Sequence, residues 1–265
     1  MRRPLLGLVV FAATFVGLAF LALPVIALFA RVPPSRLVSQ LGNPVVTDAL
    51  VVSLKTTLLA QALILVFGTP TAYVLATRRF RGRAALITLV ELPLVLPPTV
   101  LGYYLLTAMG AGSPLGRGFE RLWGHPLVFS FAGLLLASLI FNLPFAIQPM
   151  QRAFEAIPRD VRDAAACSGM SPWRIFARIE CPLAWPGILS AAVLTFVHTL
   201  GEFGVVLMVG GSIPGETKTI AIAIYDRVQA FDARGANLMA AVLLASSLIA
   251  IAVAYGTARR PAPHG

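Results

Sequence analysis

Residues 155–182 read EAIPRDVRDAAACSGMSPWRIFARIECP, and they separate two long stretches without a charged side chain. This pattern predicts two short helices. Pro158 suits the first position of one helix, Gly169 suits the left-handed residue after its end, and Pro182 would close the unit. Ser171, followed by proline, would cap and begin the second helix. The segment is therefore predicted to be a helical unit between two hydrophobic regions.

These two helices need a surface to pack on, since a helix of about ten residues is marginal alone in water. Trp173, Phe176 and Ala177 are spaced to share one apolar helix face, which favours docking on a protein. Docking on lipid head groups is the alternative, because arginines attract anionic lipid. Four acidic residues oppose this alternative, and they are Glu155, Asp160, Asp163 and Glu180.

The composition places the whole chain in a membrane. Its 265 residues are 58% hydrophobic and only 12% charged, whereas soluble domains carry roughly 25% charged residues. The net charge of +10 comes from Lys and Arg in short runs between apolar stretches, which favours lipid head groups over nucleic acid as the anionic neighbour. Cys167 and Cys181 are too few for a disulfide scaffold and are expected to be small buried residues.

A membrane-spanning helix needs roughly 20 residues without a charge. Six stretches reach that length, and they are residues 4–30, 56–77, 92–116, 126–151, 181–201 and 235–258. The first is long for a signal peptide and is expected to be a retained span. Prolines such as Pro97 and Pro98 are expected to kink the spans. After the fifth stretch, residues 203–211 either extend a long helix or form a re-entrant turn.

The basic residues predict the orientation of these spans. With the N-terminus inside, 13 of the 21 Lys and Arg residues lie on the cytoplasmic side. They are Arg2, Arg3, Arg78, Arg79, Arg81, Arg83, Arg152, Arg159, Arg162, Arg174, Arg178, Arg259 and Arg260. Because cytoplasmic loops are enriched in Lys and Arg, both termini are expected in the cytoplasm.

The segment 155–182 resembles the signature of ABC importer permeases. That signature is Glu-Ala-Ala, three residues, Gly, nine residues and Ile-x-Leu-Pro, and the spacing here is the same, with Asp in place of Glu at 163 and Cys in place of Leu at 181. The resemblance implies an all-α integral membrane protein with six transmembrane helices and the type I ABC importer permease fold. It also implies that the segment couples to an ATP-hydrolysing subunit through Asp163, Ala164, Ala165, Gly169, Trp173, Phe176, Ile179 and Pro182.

Three further stretches, residues 96–106, 142–150 and 198–220, are similar to molybdate permeases. The resemblance implies a permease core over residues 48–258, preceded by a helix and an extracytoplasmic loop in 1–47 and followed by a cytoplasmic tail in 259–265. Sulfate and thiosulfate permeases are also similar, including a Gly-Glu-aromatic-Gly element like residues 201–204. Molybdate is the expected substrate, and sulfate, thiosulfate or tungstate is the alternative.

The chain is not expected to bind ATP itself. Residues 210–215 have the outer glycines of a phosphate-binding loop, but Glu216 follows where that loop needs Lys. The three histidines are scattered, so no metal or other cofactor is expected and the chain is not expected to be an enzyme. The resemblance implies two permease chains, two ATP-binding cassette ATPase subunits and an extracytoplasmic molybdate-binding protein, in the bacterial cytoplasmic (inner) membrane. A homodimer is expected, because nothing in the sequence marks this chain as half of a heterodimer.

The translocation pathway is expected to avoid buried cations, which would trap an oxyanion, and to use hydroxyl and amide groups. The candidates are Thr99, Tyr103, Tyr104, Asn142, Thr195 and Thr199. Ordinary hydrogen bonds between helices are the alternative role for each. His198 and Glu202 lie four residues apart, which suits a gate or a packing contact. Proton coupling by these two groups would instead indicate a secondary transporter, a distant alternative.

Overall fold

The computed structural model describes residues 2–33, 35 and 42–258. This part of the chain is helical and contains no β-strand. Its helices are α1 (Arg2–Arg31), α2 (Pro44–Thr77), α3 (Arg83–Val95), α4 (Pro98–Met109), α5 (Pro114–Trp123), α6 (Phe131–Glu155), α7 (Arg159–Cys167), α8 (Pro172–Ile175), α9 (Cys181–Leu200), α10 (Gly204–Gly210), α11 (Ile220–Gln229) and α12 (Ala233–Ala258). The predicted tail at 259–265 and part of the predicted loop before α2 lie outside the described residues.

Among the described residues, five helices are long and apolar enough to cross a membrane. They are Gly7–Arg31, Pro44–Thr77, Phe131–Glu155, Pro172–Leu200 and Ala233–Val253. The pair α3 and α4 makes a sixth if the two are counted as one span. The predicted all-α membrane fold is therefore confirmed, with five continuous candidate spans and one bent pair in the described residues.

The third predicted span, residues 92–116, is not one continuous helix. α3 and α4 meet at an angle of 114°. Leu96 is extended between them, with φ −79° and ψ 137°, because a residue before proline avoids the helical region. Pro98 then begins α4, where a missing backbone N–H costs nothing. The consecutive prolines at 97 and 98 therefore break this span rather than only kinking it.

The fifth span also ends in a break. α9 stops at Leu200, and the separate helix α10 begins at Gly204. Phe203 between them has φ −127° and ψ −54°, outside the helical region. One long helix through residues 203–211 is therefore excluded, and this stretch is a second short helix.

α6 is the central helix and packs against both α2 and α9. Their shared core contains Ile64, Leu75, Ile147, Met150, Phe154 and Ile188. Gly187 of α9 lies so close to α6 that a Cβ atom added there would be 2.3 Å from the Cβ of Ala153. A small residue at this crossing lets two helices approach closely, which is how membrane helices gain packing energy.

Candidate functional site

The segment between α6 and α9 contains the two predicted short helices. α7 ends at Cys167, and Gly169 has φ +76°, the left-handed conformation that was predicted. The N–H of Met170 donates to the carbonyl oxygen of Ala165 at 3.2 Å, and this bond closes the end of α7. Ser171 precedes α8, which begins at Pro172. Pro158 precedes the first residue of α7, one position earlier than predicted.

Pro182 does not close this segment, and that prediction was wrong. α8 continues through a π turn, Phe176–Glu180, directly into α9. The N–H of Cys181 donates to the carbonyl oxygen of Phe176, five residues earlier. Pro182 therefore lies in the first turn of α9, inside a helix that runs from Pro172 to Leu200. A proline is tolerated there because the wider π turn already interrupts the regular hydrogen-bond pattern.

The predicted apolar face of the second helix is divided between two surroundings. Phe176 packs on its own chain, with its ring 4.7 Å from Tyr73 and 6.2 Å from Phe154 between centroids. Trp173 is 74% exposed, and Ala177 is also exposed. Only part of the predicted face is therefore free to contact another protein.

The remaining predicted coupling residues also differ in exposure. Asp163, Ala164, Gly169 and Pro182 are exposed, Ala165 is buried, and Ile179 is half-buried. Cys167 is exposed and Cys181 is half-buried, so the prediction that both are buried was wrong. We name the exposed set Asp163, Ala164, Gly169 and Trp173 the α7–α8 surface.

A second cluster forms where α6 meets the break between α9 and α10. Asn142 is fully buried, and its Nδ2 donates to Glu202 Oε2 at 3.1 Å. Its Oδ1 lies 2.8 Å from Nδ1 of His198, which donates when it carries the proton. The His198 ring lies against Phe145, with 4.0 Å between centroids. Three predicted residues, Asn142, His198 and Glu202, are therefore brought together.

This cluster borders a cavity of about 420 Å³. The cavity is lined by Pro98, Phe141, His198, Glu202 and Gly204, among others. Pro98 and Gly204 are the first residues of α4 and α10, so both helix breaks meet at this place. Glu202 is only 5% exposed.

The other predicted pathway residues have separate surroundings. Thr195 is buried, and its hydroxyl donates to Gln61 Oε1 of α2 at 2.6 Å. Thr199 donates to the carbonyl oxygen of Thr195 at 2.7 Å. Thr99, Tyr103 and Tyr104 are exposed on α4. Thr195 thus makes the interhelical hydrogen bond that was the alternative to a pathway role.

Gln61 was missed by the sequence analysis. Its side chain joins α2 to α9 through Thr195. The signal was present in the sequence, because Gln61 is the one amide side chain in the charge-free stretch 56–77. A polar residue in the middle of a span usually faces other helices rather than lipid.

The bundle of broken and kinked helices, with an exposed two-helix segment at one end, defines a membrane-embedded helical subunit that can dock a partner. A sequence profile for the inner membrane component of binding-protein-dependent transport systems matches residues 64–260. The chain belongs to this family, the permease subunits of ABC importers. It is accordingly a multi-pass protein of the inner membrane, and permeases of this family act as dimers with ATPase and binding-protein partners.

Three relatives place the chain within the family. The molybdenum transport system permease protein of Azotobacter vinelandii is 45% identical over 76% of this chain and 89% of its own length. The protein of the same description from Escherichia coli K12 is 35% identical over 80% of this chain and 93% of its own length. A probable sulfate transport system permease protein of Anthoceros angustus is 30% identical over 87% of this chain and 81% of its own length.

The fold has a solved counterpart. One chain of the crystal structure of a bacterial alginate ABC transporter aligns with a TM-score of 0.72 and 20% identity, over 98% of this chain and 95% of that one. At this identity the similarity concerns the fold alone, which is that of type I ABC importer permeases.

Proposed function

We propose that this chain is the permease subunit of an ATP-driven molybdate importer. Two copies form the transmembrane pathway, each docks one ATPase at the α7–α8 surface, and a molybdate-loaded binding protein delivers the anion from outside. The observation that carries the proposal is the exposed α7–α8 segment, with Gly169 in its left-handed turn, at the start of the uninterrupted helix Pro172–Leu200. ATP hydrolysis belongs to the partner, and this chain has no enzymatic role of its own.

The choice of molybdate rests on degree of similarity. The molybdenum permease relative shares 45% of aligned residues with this chain, and the sulfate permease relative shares 30%. Tungstate resembles molybdate in size and charge and is expected to use the same path. Sulfate or thiosulfate remains the second candidate, favoured by the sulfate permease relative.

The proposed transport mechanism relies on the continuous helix that connects the α7–α8 segment to the cluster around Glu202. ATP binding closes the two ATPases and draws the docked α7–α8 segments together. Because Pro172–Leu200 is one helix, this displacement reaches the break at Gly201, where Asn142 holds Glu202 against α6. We assign Asn142, His198 and Glu202 a gating role: their hydrogen bonds hold one of two rigid-body arrangements. We also propose that an N-terminal span and an extracytoplasmic loop precede α2, which begins at Pro44 rather than at the predicted boundary of 47/48. Residues up to 258 would form the permease core and 259–265 a cytoplasmic tail, with both termini in the cytoplasm.

Substrate is tested by uptake of labelled molybdate at nanomolar concentration in cells with and without this gene. We expect uptake to be lost on deletion and to be inhibited by tungstate but not by excess sulfate. Unchanged molybdate uptake together with lost sulfate uptake would overturn the substrate and keep the permease assignment. Re-expression of the gene in the deletion strain is the control.

A further inference from the structure

Arg162 in α7 binds two other elements at the same end of the bundle. Its Nε donates to Oε1 of Glu180, and its Nη2 donates to the carbonyl oxygen of Phe154 at 2.7 Å. Glu180 is the last residue of the π turn before α9, and Phe154 lies in the last turn of α6. One guanidinium group therefore joins α7, α6 and the start of α9.

The Arg162–Glu180 pair is shielded from water. The Glu180 side chain is 1% exposed and the Arg162 side chain is 22% exposed. A buried carboxylate is tolerated only with a partner, and the planar fork of arginine fixes the direction of two hydrogen bonds at once. The pair therefore holds a defined geometry, unlike an exposed ion pair between two mobile side chains.

The connection matters because α7 and α8 are attached to α9 in different ways. α8 is continuous with α9 through the π turn. α7 is separated from α8 by residues 168–171, which include the left-handed Gly169. A displacement of α7 can therefore reach α9 by two routes. One follows the backbone through residues 168–171 and α8, and the other passes directly through the Arg162–Glu180 side-chain contact. The side-chain route is the shorter one, and it is rigid because the ion pair is shielded from water.

We propose that the Arg162–Glu180 ion pair is a strut that transmits displacement of a docked ATPase from α7 to α9 and to the end of α6. The inference rests on the proposed function, in which the α7–α8 surface docks the ATPase. Arg162 and Glu180 act as positioning residues, because they move the span rather than touch the substrate or ATP. Without this ion pair the ATPase should stay docked, but its rate of ATP hydrolysis should no longer respond to the binding protein on the extracytoplasmic side.

The test uses the assembled complex of this chain with its ATPase in proteoliposomes. Arg162→Met should reduce the stimulation of ATP hydrolysis by molybdate-loaded binding protein by roughly five- to tenfold, within the usual range of coupling between sites. Unstimulated hydrolysis and the amount of co-purified ATPase should match wild type. The charge-reversed pair, Arg162→Glu with Glu180→Arg, should recover part of the stimulation.

The matched control is Glu155→Gln. Glu155 pairs with Arg83 at the same end of the bundle, but the two side chains are 41% and 35% exposed. Arg83 also keeps its bonds to the carbonyl oxygen of Leu75 when Glu155 is changed. Stimulation in this control should remain within about twofold of wild type, as expected for an exposed pair.

When the wild-type complex is stimulated, two results in the Arg162→Met variant would overturn the strut alone. Full stimulation in Arg162→Met would show that displacement takes another route, and loss of co-purified ATPase would show that the pair only shapes the docking surface. A wild-type complex that molybdate-loaded binding protein does not stimulate would overturn the proposed function, and the strut with it. Stimulated wild type with unaffected variants would overturn the strut alone.

Discussion

Gly169 has the most restrictive backbone conformation of the α7–α8 segment. Its φ of +76° is one that L side chains rarely adopt, and no atom lies within 4 Å of the place where its Cβ would be. A substitution there is therefore strained by the backbone and not by a clash. For a non-glycine residue such strain is worth about 1–3 kcal/mol, and it would be relieved by moving α7 relative to α8.

Gly169→Val should abolish the stimulation of ATP hydrolysis by molybdate-loaded binding protein, with the permease still present in the membrane. Gly169→Asn should retain most of this stimulation, because Asn tolerates the left-handed region of backbone conformation. The control is Gly215→Val, at a glycine with φ +75° and equally empty surroundings in the loop before α11. Equal loss of stimulation in both valine variants would contradict a specific role for the α7–α8 turn.

Asn142 holds the second cluster together, and its removal should be costly. Asn142→Ala leaves the buried Glu202 and the half-buried His198 each without a hydrogen-bond partner that it now has. A stranded buried polar group costs about 1–3 kcal/mol, so the midpoint of thermal inactivation in detergent should fall by several degrees. Ser190→Ala removes an exposed hydroxyl that bonds only within α9 and should leave the midpoint unchanged. An unchanged midpoint for Asn142→Ala would contradict the network.

Among the elements, the sequence located the continuous spans but not their starts, since the helices begin at Pro44 and Pro172 rather than at 56 and 181. Charge-free length locates a span, but it does not report whether the helix inside it is unbroken. Residues 92–116 have the length, yet Pro97 and Pro98 divide them into two helices at 114°. The prediction for Pro182 failed for the same reason. This proline lies inside a helix because of the preceding π turn, and no residue pattern in the sequence predicted that turn.

The candidate sites were predictable to different degrees. Gly169 was correctly placed from local backbone chemistry alone, since a left-handed turn selects glycine. The meeting of Asn142 with Glu202 was not predictable, because the two residues are 60 positions apart and their contact depends on how α6 packs beside the α9–α10 break. Arg162 and Glu180 were noted only as charges, because their pairing also depends on tertiary structure.

α4 and α10 pack closely through a glycine, which makes their contact testable. A Cβ on Gly102 would lie 2.8 Å from the Cβ of Met208 and 3.2 Å from the Cα of Val205. Gly102→Ala should separate the two helices at a cost of about 1–3 kcal/mol and lower the thermal inactivation midpoint. Gly118→Ala on α5 adds the same methyl group where no atom lies within 4 Å. A fall of the midpoint in Gly118→Ala as large as or larger than that in Gly102→Ala would contradict close packing of α4 on α10 at Gly102.

At the scale of the whole molecule, the bent pair α3–α4 decides the topology. If it crosses the membrane once and the N-terminus is inside, the turn between α4 and α5 lies outside and Cys167 lies inside. Gly112→Cys in a Cys167→Ser background should then react with a membrane-impermeant maleimide in spheroplasts, because Gly112 is exposed. Native Cys167, also exposed, should react only in inverted vesicles. The reverse pattern would contradict a single crossing by α3–α4 with the N-terminus inside.

The central claim is that ATP hydrolysis, transmitted through the α7–α8 segment, drives molybdate through this chain. The most direct measurement is accumulation of labelled molybdate in proteoliposomes that contain this permease with its ATPase, with ATP trapped on the ATPase side and loaded binding protein on the other. Accumulation should require ATP, persist when the proton gradient is dissipated, and disappear in Gly169→Val. Accumulation that needs no ATP and collapses with the proton gradient would contradict it and identify a secondary transporter.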